Sequence, residues 1–234
     1  MVPLKILSDI SMRERLIDAR PHSLVINEIF HSIQGESSRS GQPCVFVRLT
    51  YCNIRCSYCD TEYAFAEGRE MPIDEILSTV RNYDCGLVEV TGGEPLIQPN
   101  VHELLKRLCE EGYDVMLETG GSLDIGMVDP HVKRIVDLKC PSSGMEKKNL
   151  WENMDRLRSG DEVKFVIGTR EDYEWSGKKI KDFGIDRRCL VLMGPVFGTM
   201  EPVRLAEWIL EDRLNVRFQL QLHKYIWDPL KRGI

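Results

Sequence analysis

Two apolar patterns alternate along this chain. Short runs rich in β-branched and aromatic residues recur at 24–30, 44–50, 87–90, 115–118, 134–138, 163–167, 189–192 and 216–222. Each is bounded by polar or glycine-bearing stretches, which predicts a strand. Amphipathic stretches lie between several of them. Residues 72–82 open on Pro72, 101–112 close on Gly112, and 172–183 and 202–212 follow, the last with Leu205, Ile209 and Leu210 on one face. These predict helices, because proline is tolerated at a helix start and glycine ends one. A short helix is also predicted over 11–19, capped by Ser11 and stopped by Pro21. Strand–helix alternation implies a mostly parallel sheet with helical crossovers. A complete eight-unit barrel takes about 250 residues, and this chain of 234 residues has fewer units. The expected fold is therefore α/β, an incomplete TIM-like barrel of about six mostly parallel strands. Residues 1–23 are expected to be an N-terminal extension and 24–234 a single domain.

Composition narrows the class. Hydrophobic residues make up 42% and charged residues 29%, as in an ordinary globular protein. No apolar run reaches the roughly 20 residues of a membrane helix. Asp9, Arg13, Glu14 and Arg15 interrupt any signal-peptide core. The reading is a cytoplasmic protein that uses no membrane, with its eight cysteines kept reduced. A net charge of −6 without a Lys/Arg run argues against direct nucleic-acid binding and for a small-molecule substrate.

Three of the cysteines stand apart from the rest. Cys52, Cys56 and Cys59 lie within eight residues, on a loop leaving the carboxyl end of the 44–50 strand, which is where α/β sheets do chemistry. Thiolates select zinc, copper(I) or iron–sulfur clusters. A structural zinc site wants four ligands, and no fourth Cys or His follows at finger spacing. A cubane cluster on three cysteines keeps one iron open to chelate a small molecule. Cys44, Cys85, Cys109, Cys140 and Cys189 are scattered singly and read as buried small hydrophobes. At the end of the 87–90 strand, Thr91-Gly92-Gly93-Glu94-Pro95 forms a turn whose glycines permit close backbone approach. Arg48 shares a strand face with Phe46 and Thr50. An inward arginine needs an anion, either a substrate carboxylate or an internal acid such as Glu28. In the last strand Gln219, Gln221 and His223 would share one face, with His223 either a proton carrier or structural.

The Cys52–Cys59 spacing, with Tyr58 before the last cysteine and the Gly-Gly-Glu-Pro string, resembles the radical S-adenosylmethionine (SAM) superfamily. There the cysteines hold a [4Fe–4S] cluster whose open iron binds SAM and cleaves it to a 5′-deoxyadenosyl radical. Residues 28–36 (Glu-Ile-Phe-His-Ser-Ile-Gln-Gly-Glu), 46–49 and Cys59-Asp60-Thr61, with Gln221-Leu222-His223-Lys224, further resemble the 7-carboxy-7-deazaguanine synthase family. That family converts 6-carboxy-5,6,7,8-tetrahydropterin, with loss of ammonia, on the route to queuosine.

The resemblance implies roles residue by residue. Cys52, Cys56 and Cys59 would hold the cluster and Thr61 a Mg2+ ion. Tyr58, Gly93, Glu94, Lys139, Ser142, Met193, Gly194, Pro195 and Val196 would contact SAM. Ile33, Gln34, Gly35, Arg48, Thr91 and Pro229 would bind the pterin substrate. Also implied are a homodimer and an electron donor such as flavodoxin or ferredoxin. One position departs from the family: Ser37 stands where glycine is frequent, which predicts a different loop conformation. The competing readings are another radical SAM enzyme, such as a glycyl-radical activase, and a non-catalytic zinc- or cluster-binding module.

Overall fold

The computed structural model describes residues 21–234, so the helix expected over 11–19 lies outside the described residues. One sheet of nine strands forms an incomplete α/β barrel. At one edge β1 (Ser23–Ile33) pairs antiparallel with both β2 (Pro43–Leu49) and β3 (Arg69–Pro72). From β2 the sheet continues in parallel through β4 (Leu87–Gly92), β5 (Asp114–Thr119), β6 (Lys133–Leu138), β7 (Glu162–Ile167) and β8 (Leu190–Pro195). A two-residue β9 (Arg217–Phe218) ends it. Because β3 and β9 are opposite edges of the sheet, the barrel stays open.

Two departures from the sequence reading have physical reasons. β3 was not expected, since its four residues include the exposed charges of Arg69 and Glu70 and carry no apolar alternation. The last strand, expected over 216–222, stops at Phe218. There the chain leaves the sheet, the Leu222 amide donates to Gly35 O at 2.9 Å, and a short helix (His223–Ile226) begins. Gln219, Gln221 and His223 therefore do not share a strand face.

Among the described residues four longer helices cover the outside: α1 (Ile73–Arg81), α2 (Val101–Glu110), α3 (Arg170–Phe183) and α4 (Pro202–Glu211); the short helix at His223–Ile226 is α5. α3 starts two residues before the expected 172 because Thr169 caps it. The Thr169 hydroxyl accepts from the Asp172 amide, and the Asp172 carboxylate accepts from the Thr169 amide, a reciprocal capping box.

Strand alternation decides what faces where. Val45, Val47, Leu49, Val88, Val90, Val115 and Leu117 point outward into one core with α1 and α2. Val136, Leu138, Val163, Phe165 and Ile167 pack outward in a second core, with Tyr173 and Ile180 of α3 and Leu205 and Ile209 of α4. Each fully buried aliphatic side chain contributes about 1.5–3 kcal/mol. The inner face is layered. Phe30, Cys44, Phe46, Leu87, Met116 and Ile135 form an apolar plug at one level. Beyond it, toward the strands' carboxyl ends, the inward residues turn polar: Arg48, Glu89, Thr91, Glu118, Asp137 and Lys164.

Candidate active site

A cavity of about 600 Å³ opens at that polar end. Its upper wall is the cysteine loop. Tyr51, at φ +79°, turns the chain out of β2, and its amide donates to Ala64 O at 2.8 Å. Arg55 then ties the loop to itself, donating to Cys52 O at 2.7 Å and Ile54 O at 2.8 Å with its guanidinium 4.2 Å from the Phe65 ring centre. Ser57 donates from its amide to Ser143 O (3.1 Å) and from its hydroxyl to Ser142 O (2.7 Å). Cys52, Cys56 and Cys59, all free thiols, line the same cavity. Burial pushes the Cys52 thiol up to about 11 and raises that of Cys56.

The donor chemistry fits an iron–sulfur cluster: three soft sulfur donors on one loop, facing one cavity. The sulfurs do not converge on one point. Among the described residues no three of His, Cys, Asp or Glu gather as ligands of a single ion. A four-iron cluster spreads its sulfur ligands more widely than a tetrahedral zinc does.

The expected SAM contacts divide. Tyr58, Gly93, Lys139 and Val196 line the cavity. Lys139 is held by Asp137 at 2.9 Å; burial opposes its charge, but the carboxylate more than offsets this and its pKa rises. Glu94, Ser142, Met193, Gly194 and Pro195 lie off the cavity wall. The Glu94 carboxylate is fully buried and accepts from Thr119 Oγ1 (2.8 and 2.9 Å) and from the amides of Gly120 (2.7 Å) and Leu96 (3.1 Å). It fastens the glycine turn to the end of β5. Ser142 is occupied by Asp172, which accepts from its amide at 2.8 Å and its hydroxyl at 2.5 Å. Met193 points outward into the second core, and Pro195 lines a separate small groove. The paired glycines also have an internal reason. A Cβ on Gly93 would sit 2.1 Å from Tyr51 O, and one on Gly92 would sit 2.6 Å from Leu49 O, so the close approach is to β2 and the cysteine loop.

The expected substrate residues Ile33, Gln34, Gly35, Arg48, Thr91 and Pro229 all line the cavity, as do Thr61 and His223. Arg48 Nε donates to Glu28 at 2.8 Å. Its two terminal nitrogens have no acceptor among the described residues, so the internal acid positions the guanidinium and leaves a fork for another anion. Gln34 is pinned at both ends of its amide: Nε2 donates to Glu89, and Oε1 accepts from the Glu36 amide at 3.1 Å. Gly35 has no room for a side chain, because its Cβ would lie 2.0 Å from His223 Nδ1. Burial lowers the pKa of His223, which favours the neutral ring. Thr61 Oγ1 is 3.8 Å from Cys59 Sγ, and the neighbouring Asp60 pairs with Lys224 at 2.5 Å. Ser37 takes φ +64°, the left-handed conformation that glycine favours. The loop expected to differ thus has serine in a glycine-like backbone.

Sequence reasoning missed a cluster of charges. Glu36, Glu89, Glu118, Asp137 and Lys164 all face the cavity. The signal was present: Glu89, Glu118, Asp137 and Lys164 each interrupt an apolar strand at the inward phase of its alternation, as Arg48 does.

Comparison with known proteins gives the family. The model of the radical SAM superfamily matches residues 47–209. A 7-carboxy-7-deazaguanine synthase from Chlorobaculum tepidum is 50% identical over 214 residues, covering 90% of this chain and 97% of the relative. One from Koribacter versatilis is 45% identical over 224 residues, covering 89% and 99%. This chain belongs to the 7-carboxy-7-deazaguanine synthase family of radical SAM enzymes. The crystal structure of QueE from Escherichia coli shares the fold, with a TM-score of 0.73 at 23% identity over 86% of this chain and 95% of that one. Membership implies a [4Fe–4S] cluster and SAM, which the three thiols and the cavity beneath them suit.

Proposed function

We propose that this protein is a radical SAM lyase converting 6-carboxy-5,6,7,8-tetrahydropterin to 7-carboxy-7-deazaguanine with loss of ammonia, a step toward queuosine and other 7-deazapurines. The observation that carries this reading is one cavity joining three cluster-type thiols to a largely buried set of charges that includes Arg48. With SAM bound, the reduced [4Fe–4S] cluster supplies a 5′-deoxyadenosyl radical, and the protein supplies orientation and a water-poor pocket.

Cys52, Cys56 and Cys59 hold the cluster. Tyr58, Gly93, Lys139 and Val196 flank SAM, with Lys139 offering its ammonium to the carboxylate end. Glu94, Ser142, Met193, Gly194 and Pro195 stand behind this wall and complete the SAM site, Glu94 and Ser142 through the segments their hydrogen bonds hold in place. The free fork of Arg48 binds the substrate carboxylate, since a guanidinium and a carboxylate match bidentately. Ile33, Gln34, Gly35 and Thr91 border the ring, and Pro229 covers it. Thr61 offers its hydroxyl to Mg2+, an ion that takes one or two protein ligands and completes its shell with water and substrate oxygens. His223, neutral through burial, is the group placed to handle a proton in the ammonia-releasing stage. A flavodoxin or ferredoxin delivers the electron, and the working form is a cytoplasmic homodimer that contacts neither nucleic acid nor membrane directly. Among the described residues no helix is long and apolar enough to cross a membrane.

Anaerobic reconstitution tests the reading. The enzyme should carry iron and sulfide in a ratio of about four to four and should form the deazaguanine from SAM, reductant, Mg2+ and the carboxypterin. SAM cleavage without deazaguanine would eliminate this substrate, and zinc in place of iron would eliminate radical chemistry altogether.

A further inference from the structure

Lys164 sits on β7 in the middle of the charged cluster, 5% exposed, and faces the cavity. Its ammonium meets three carboxylates: Glu118, Glu36 at 2.7 Å and Asp137 at 3.3 Å. They arrive from three different parts of the chain. Glu118 is the penultimate residue of β5, Asp137 that of β6, and Glu36 follows the Ile33-Gln34-Gly35 segment.

The three carboxylates depend on Lys164 unequally. Asp137 has a second cation, Lys139, at 2.9 Å. Glu36 and Glu118 have no other cation within salt-bridge distance among the described residues. Glu36 Oε1 accepts from Gln221 Nε2 at 2.8 Å, and Glu118 Oε2 is 3.4 Å from the Thr91 hydroxyl. Glu36, whose burial alone would raise its pKa, is lowered to about 2 by the ammonium. Glu89, close by without its own ammonium, is pushed well above the carboxylate range, with burial the largest cause. One ammonium thus holds two partly buried carboxylates in place beside Gln34, Thr91 and Gly35.

We propose that Lys164 is a positioning residue for the substrate: it orients the Glu36 and Glu118 carboxylates as acceptors for the N–H donors on the pyrimidine edge of the pterin. The inference rests on the carboxypterin reading above. An aminopyrimidinone edge presents several N–H donors, and charge-assisted acceptors bind such donors about twice as strongly as neutral ones. Lys164 itself does not need to touch the ring. The Asp137–Lys139 pair remains intact without it, so SAM binding should be spared.

The test is equilibrium binding to the anaerobically reconstituted, unreduced enzyme, titrated with SAM and then with the carboxypterin. Lys164→Met should weaken pterin binding by about tenfold or more, the worth of one charge-assisted bond, and change SAM affinity by no more than about twofold. In turnover, KM for the pterin should rise more than kcat falls. Lys164→Met leaves two partly buried carboxylates without a cation and can fail to fold. Lys164→Met/Glu118→Gln removes one of those charges and should fold, bind SAM and still bind the pterin weakly. Lys164→Arg, which keeps the charge, should recover most of the pterin affinity. Wild-type pterin affinity in a folded Lys164→Met or double variant, equal losses of SAM and pterin affinity, or failure of all three variants to fold would overturn the inference and leave Lys164 a structural ion-pair centre. A wild-type enzyme that neither binds nor converts the pterin would overturn the functional reading and this inference with it.

Discussion

Burial and charge conflict at Glu89. It stands on β4 between Val88 and Val90, 4% exposed, with Gln34 Nε2 donating to one oxygen. Burial, then the nearby Glu118 carboxylate, pushes its pKa well above the ordinary range. The folded state therefore keeps this proton to higher pH than the unfolded chain does. The associated stability is fully present below the unfolded carboxylate value and is lost as pH rises toward the folded one. Glu89→Gln imitates the protonated form and can still accept from Gln34. It should leave the thermal midpoint unchanged at about pH 4 and raise stability at about pH 8 by about 1–3 kcal/mol; a lower midpoint at the higher pH would show a fully compensated carboxylate. Gly93 supports a second expectation at this scale. Its missing side chain leaves Tyr51 O only 2.1 Å from where a Cβ would lie, and Cys52 Cβ 2.9 Å away. Gly93→Ala must push the cysteine loop aside, so iron per chain after reconstitution should fall to about half or less. Full loading in that variant would mean that the loop tolerates the shift.

Among the elements, the start of α3 reaches furthest into the site. The Asp172 carboxylate accepts from the amides of Gly168 (2.9 Å) and Thr169 (3.0 Å), and also from the amide and hydroxyl of Ser142. The 3-10 turn at Pro141–Ser143 in turn accepts both hydrogen bonds from Ser57, between Cys56 and Cys59. A helix cap thus braces the cysteine loop through two links. Asp172→Ala removes the cap and strands several buried donors, and should cost about 2–4 kcal/mol in urea unfolding of the cluster-free protein. The same variant should lose its cluster faster in air. Asp172→Asn, which keeps an acceptor oxygen, should lie between the two. A variant with wild-type cluster lifetime would break the proposed link between α3 and the loop.

In the molecule as a whole, the open barrel needs its last residues to cover the cavity. α5 and the segment after it cross the opening, with Pro229, Leu230 and Ile234 on the cavity wall. Lys224 clasps Asp60 on the cysteine loop, and Arg232 pairs with Glu67 at 2.8 Å with its guanidinium 3.9 Å from the Tyr63 ring centre. Residues 228–233 are exposed and bury little of the core. Deleting 228–234 should shift the thermal midpoint by only a few degrees, on the order of 1 kcal/mol. It should also raise KM for the pterin about tenfold or more and increase SAM cleavage that yields no deazaguanine, because water and solvent reach the site. Unchanged coupling between SAM cleavage and product would show that the segment does not seal the cavity.

Local pattern determined much of this. Apolar alternation marks the six long parallel strands, capping and proline mark the helices, and the Cys52–Cys59 spacing with Gly-Gly-Glu-Pro marks the superfamily, since each depends on residues close in sequence. Tertiary structure decided which marked residues meet. Glu94, Ser142 and Met193 are marked by their motifs, and the fold decides what their side chains meet: Thr119, Asp172 and the second core. Arg48 had two candidate anions, and Glu28 takes one of its nitrogens while leaving the fork. The expected last strand ends early because Gly35, distant in sequence, offers its carbonyl to Leu222 and its empty side to His223. The gathering of Glu36, Glu118 and Asp137 on Lys164 depends on which strands lie side by side, a pairing that no single stretch of sequence encodes.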